Sequence, residues 1–128
     1  MAKKDVLFGF QLADAQSLAA AFNSSAFRVK FLDNVCFNVE TSGVTVNEGT
    51  FAVEHRIVKD IRPVSPVMYS AWAELTLSSI PTLGGADQTF MISLNQVPPG
   101  ELRIKFASPG GSANGTCDIW VSATSLGG

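Results

Sequence analysis

Glu101-Leu102-Arg103-Ile104-Lys105-Phe106 alternates charged and apolar side chains without a break. A β-strand sends successive side chains to opposite faces, so this stretch puts Leu102, Ile104 and Phe106 on one side and its charges on the other. That is the pattern of a strand with one buried face, and the rest of the chain repeats it. Phe27, Val29 and Phe31 alternate with Arg28 and Lys30; Val35, Phe37 and Val39 alternate with Cys36, Asn38 and Glu40. Phe51, Val53 and His55 interleave Ala52, Glu54 and Arg56; Ala73, Leu75 and Leu77 interleave Glu74 and Thr76. The same period recurs in Phe90-Ile92-Leu94 and in Cys117-Ile119-Val121, and Val6 to Gln11 adds a less regular eighth run.

Turn formers separate the runs: Asp33-Asn34, Ser42-Gly43, Asn47-Glu48-Gly49, Gly84-Gly85, Pro98-Pro99-Gly100 and Pro109 to Gly115. Lys59 to Met68 holds Pro63 and Pro66 and does not alternate, so it reads as the longest loop, with length enough for a crossover between two sheets. Seven or eight strands at this spacing predict an all-β fold, an antiparallel β-sandwich closed in jelly-roll fashion to manage its edges. Residues 1–26 read as an N-terminal arm, or as a first strand with a short helix, and residues 27–128 as the sandwich. The helix would run from Asp14, its cap, to Phe22, with Leu18, Ala19 and Phe22 at helical spacing; an extended segment is the alternative.

The chain has 128 residues, 46% apolar and only 16% charged. A typical soluble domain carries about 25% charged residues. One domain of this size buries about two-thirds of its surface, enough for a core without staples. A net charge of −2 offers no basic excess to neutralise phosphates, so nucleic acid is not expected as a partner. No run approaches transmembrane length, and Val6 to Phe10 is too short for a signal-peptide core, so no membrane partner and no export are expected. Apolar excess with few charges favours a subunit covered by its neighbours; a surface rich in Ser, Thr and Asn is the competing account. Without export, Cys36 and Cys117 are expected as free thiols, a disulfide between them being the alternative, and the sequons at Asn23 and Asn114 as chance matches.

The chain is short of catalytic material. His55 is the single histidine, and it shares apolar parity with Phe51 and Val53, which makes it a core or rim residue. No metal-ligand spacing, nucleophile elbow or phosphate loop occurs, so no cofactor and no enzyme are expected. Glu40, Glu54, Glu74 and Asp118 fall on the polar parity of their strands and read as solvated charges rather than a glycosidase pair. The aromatics say more. Trp120 shares parity with Asp118 and Ser122, and Trp72 with Glu74 and Thr76, so both point away from the core unless a bulge resets the register or the sheet face is covered. An outward Trp is a subunit contact or a sugar platform.

The order Phe31-Leu32-Asp33-Asn34-Val35, Gly49 to Glu54, Trp72 to Leu77, Ser93-Leu94-Asn95-Gln96, Leu102 to Phe106 and Gly115-Thr116-Cys117-Asp118-Ile119, ending in Gly127-Gly128, resembles small β-sandwich virion proteins of tailed bacteriophages. The resemblance spans about residues 27–125. It implies a structural virion protein made in the host cytoplasm, and within that class a capsid decoration, or cement, protein. Such a protein would sit as a homotrimer on the major capsid protein and stabilise the head by bridging capsomers. Residues 1–26 would then reach a neighbour. The interface residues expected on that basis are Phe8, Phe10, Leu18 and Phe22 of the arm, with Trp72 and Trp120 from the sandwich. A tail or baseplate adaptor of the same fold is one alternative. A carbohydrate- or receptor-binding module using Trp72, Tyr69 or Trp120 is the other.

Overall fold

The structure is a computed structural model that describes residues 5–29, 33–59 and 68–125. Within them the chain forms strands β1 (Asp5–Ser17), β2 (Phe22–Asn23), β3 (Phe27–Val29), β4 (Asp33–Ser42), β5 (Thr50–Arg56), β6 (Val58–Lys59), β7 (Met68–Tyr69), β8 (Ala73–Glu74), β9 (Thr89–Val97), β10 (Gly100–Ala107) and β11 (Thr116–Ser125). Each of the eight alternating runs contains a strand, but the run from Ala73 to Leu77 is strand only over Ala73–Glu74, where Ala73 is exposed rather than in the core. The three extra strands, β2, β6 and β7, are two residues each, too short to show a period. Phe31, Pro63, Pro66 and Gly127-Gly128 lie outside the described residues.

Two antiparallel sheets face each other. One has the order β1-β11-β4-β9; the other has β2-β10-β5-β8, with β3 also on β10. The pairings nest. The first strand pairs with the last, β2 and β3 with β10, β4 with β9, and β5 with β8. A long antiparallel ribbon rolled so that β11 lies on β4 and β10 on β5 is a jelly roll.

Inward parity fills the core. Val35, Phe37, Val39, Ile119 and Val121 face Phe51, Val53, Leu102, Ile104 and Phe106 across the sandwich, all buried. Phe51 is central, with ring centroids 4.8 Å from Phe106 and 5.4 Å from Phe90. Two glycines make room for this packing. A Cβ at Gly49 would run into the Phe106 ring, and one at Gly100, whose φ is +150°, would meet the Arg56 carbonyl.

The helix expected over Asp14–Phe22 does not form. β1 continues through Ser17 against β11, with register shifts that place Ala15 at φ +46°. A two-turn helix is shorter than its own nucleation cost allows. The ladder instead sinks Leu18 into the core at 0% exposure, and the Leu18 amide donates to the Gly115 carbonyl at 2.9 Å. Asp33-Asn34 is not a free turn either. Asp33 pairs with Val97, and the Asn34 carboxamide oxygen accepts the Gln96 amide at 3.0 Å across a bulge. Residues 60–67 lie outside the described residues, but the elements on either side of them do not require the crossover expected there. The flanking residues form the β6–β7 ribbon, and the strands before and after, β5 and β8, pair with each other.

Loops at one end are organised by an asparagine that reads from sequence only as a turn former. Asn47 is buried; its amide donates to the carbonyls of Leu18 (2.9 Å) and Asn114 (3.0 Å), and its oxygen accepts the Gly49 amide at 2.9 Å. Asn114 in turn accepts the amides of Thr45 and Val46.

Candidate functional site

The outer faces of the two sheets differ, and the difference locates the candidate site. On the five-stranded sheet, cross-strand register sets Glu101 opposite Arg56 and Arg103 opposite Glu54. Both pairs close: Arg56 Nε donates to Glu101 at 2.7 Å, and Arg103 Nε to Glu54 at 2.8 Å. The segment carrying β7 and β8 lies over them. The Arg56 guanidinium sits 3.9 Å from the Tyr69 ring centre and 4.5 Å from that of Trp72, and Arg103 lies 4.2 Å from Trp72. Trp72 does take outward parity, but its ring is engaged by two cations of its own chain. Glu54 is only 8% exposed, which corrects its reading as a solvated charge. It also stands directly opposite Glu74, so register sets these two carboxylates side by side, as it does Asp118 and Glu40 on the other sheet. Glu54 is held by Arg103, and Glu74 is exposed.

On the four-stranded sheet nothing comparable lies over the surface among the described residues. One register row runs Gln11–Trp120–Asn38–Met91 across all four strands. Trp120 is 42% exposed and Met91 64%, on either side of the neutral Asn38. The next row pairs Asp118 with Glu40, like charges side by side, and Asp118 Oδ1 is engaged by the Ala15 amide at 2.7 Å, in the β1 bulge.

The remaining expected interface residues divide. Phe10 is 38% exposed and meets Phe27 edge-on, with ring centroids 5.6 Å apart. Leu18 and Phe22, proposed for a neighbour, are taken up by the chain itself: Leu18 is in the core, and Phe22 packs on Phe106 at 5.6 Å. Phe8 belongs to β1, but its side chain lies outside the described ones.

His55 is half-buried, with Nε2 3.2 Å from the Pro98 carbonyl oxygen. Among the described residues no three His, Cys, Asp or Glu side chains gather as a metal site, and no helix is long and apolar enough to cross a membrane. The cysteines are both free and point to opposite faces: Cys36 outward beside Ser93 (3.7 Å), Cys117 into the core. Burial, and then the Asp118 charge, pushes the Cys117 thiol up to about 12, which keeps it protonated and inert.

No family model matches the chain, and no curated protein matches it in sequence. Its fold is similar to that of a chain in the structure of infectious bursal disease virus, Gx strain: TM-score 0.52 at 11% identity, covering 99% of this chain and 33% of that one. This chain therefore spans about a third of the length of that neighbour.

Proposed function

We propose that the protein is a non-enzymatic structural subunit of a virus particle, a decoration or cement protein that acts as a homo-oligomer and braces the shell by bridging capsomers. The observation that carries the reading is the virus-derived neighbour whose fold matches almost the whole chain. The uncovered face of the four-stranded sheet agrees with it. Trp120 is an aromatic anchor of the kind that dominates protein contacts, set in a neutral row with the acidic Asp118–Glu40 row beside it. Mechanically, each copy adds a small patch of apolar contact across a seam, and many copies on one shell multiply that gain.

The test is co-expression with the major capsid protein of the same virus, followed by sedimentation of the shells. The expected result is a fixed number of copies per shell, shells that open at a higher temperature when decorated, and retention that falls at least about tenfold in Trp120→Ser. Absence from shells overturns the reading. Recovery with tails alone does so in favour of an adaptor. Glycan retention that disappears in Trp120→Ala, without shell binding, does so in favour of a carbohydrate-binding module.

A further inference from the structure

We infer that β9 is a self-association edge: two copies pair β9 to β9 in antiparallel fashion about a dyad at Met91, joining their four-stranded sheets into one. The inference stands on the geometry of this edge and does not rest on the virion reading.

The sandwich has several edges, and all but one are blunted. β1 carries three register shifts, and β2, β3 and β8 are two or three residues long. Natural sheets guard exposed edges with short strands, bulges, prolines or charges. β9 has none of these along its regular part. It runs nine residues, Thr89 to Val97, without a charge or a proline, and its pairing with β4 is unbroken from Thr89 to Leu94. The positive φ at Gln96 comes after that stretch.

The orientation of its backbone follows from one bond. The Thr41 amide donates to the Gln88 carbonyl at 2.9 Å, just before the strand begins. Antiparallel ladders alternate, so Phe90, Ile92 and Leu94 turn their N–H and C=O groups toward β4, and Thr89, Met91 and Ser93 turn theirs away. Among the described residues no backbone bond takes up those outward groups. Residues 76–81 pass beside the strand without bonding to it and leave a groove of about 220 Å³ lined by Ser78, Ser79, Met91 and Ser93.

The outward groups and neutral side chains of β9 can be satisfied by a second copy of the same strand. Thr89, Met91 and Ser93 are symmetric about Met91. A dyad there sets Met91 against Met91 and Thr89 against Ser93, so every outward N–H meets an outward C=O. The side chains agree: two exposed thioethers lie side by side, hydroxyl faces hydroxyl at both flanks, and no like charges meet. The contact is isologous and closes on itself, so this edge is used up at two copies.

Light scattering of the purified chain across a concentration series tests this. The expected mass is twice 13.6 kDa. In Met91→Lys, which sets two ammonium groups against each other at the dyad, the dissociation constant should rise at least about a hundredfold. Ser93→Pro is the second variant. It removes an outward N–H, leaves the β4 ladder intact, and should also give monomers with an unchanged circular dichroism spectrum. Met91→Cys should form a disulfide between copies under oxidation, because the dyad brings that position against itself. A monomer at every concentration overturns the inference, as does a trimer, or a dimer indifferent to Met91→Lys and Ser93→Pro. None of these results bears on whether the chain binds shells.

Discussion

The two sheets share one core but treat their outer faces in opposite ways. On the five-stranded face four charges are paired and covered: Arg56 and Arg103 each have a carboxylate, and an aromatic segment lies over both guanidinium groups, while Arg28, Glu74 and Lys105 stay exposed. The four-stranded face carries a neutral central row, a tryptophan and a methionine in the open, and a straight edge. A chain that is only 16% charged spends its best-organised charges on the side it closes itself. The lesson is that the paired charges lie on the covered face, while the uncovered face keeps a neutral row beside the acidic Asp118–Glu40 pair.

The comparison can be broken at its shared centre. Phe51→Ala removes the ring that links Phe90 of one sheet to Phe106 of the other. The expected loss is about 4 kcal/mol, seen in urea unfolding. A loss below about 1 kcal/mol would mean that the faces do not depend on one core.

It can be sharpened one face at a time. Glu54→Ala strands the Arg103 guanidinium under Trp72 and should cost about 2 kcal/mol, with Trp72→Ala somewhat less. Trp120→Ser should cost less than either, under about 1 kcal/mol, because the ring is 42% exposed and its cross-strand partners are only Gln11 and Asn38. Equal costs for Trp72→Ala and Trp120→Ser in thermal melts would erase the distinction between a closed and an open face.

The cysteines repeat the contrast in chemistry. Iodoacetamide at pH 8 should label Cys36 in the native protein, and Cys117 only after unfolding, as read by mass spectrometry. The Cys117 thiol is raised from 9.0 to about 12, so the unfolded chain loses its proton first. The stability this confers is complete below pH 9.0 and declines as pH rises toward about 12; Cys117→Ala should flatten that part of the alkaline unfolding curve.

Much of this was readable from residues alone. Alternation in Leu102-Ile104-Phe106 fixes which side is buried, and Trp120 followed its neighbours Asp118 and Ser122 outward. Parity names a face but not what lies over it. Glu54 is half of an ion pair only because register brings Arg103 beside it, and Trp72 stacks on that guanidinium. Leu18 and Phe22 have helical spacing, yet both serve a sheet core, since a ladder with β11 outweighs two turns of isolated helix. Asn47 looks like any turn residue, and two of its three partners, Leu18 and Asn114, come from distant loops. The open edge was the least legible feature, because which strand ends a sheet depends on the order of all the others.

The pairing of the first strand with the last also sets a schedule. Asp5 pairs opposite Ser125, and Ser17 opposite Thr116, so β1 has no partner until β11 has been made. Each nested pair encloses a long loop whose entropy must be lost before any contact rewards it. The sandwich therefore closes only after β11 has emerged, and slowly for a domain of this size. The half-made protein holds the β4 and β5 halves of its core open to water for the whole of that wait, an interval in which binding by a chaperone would protect it from aggregation.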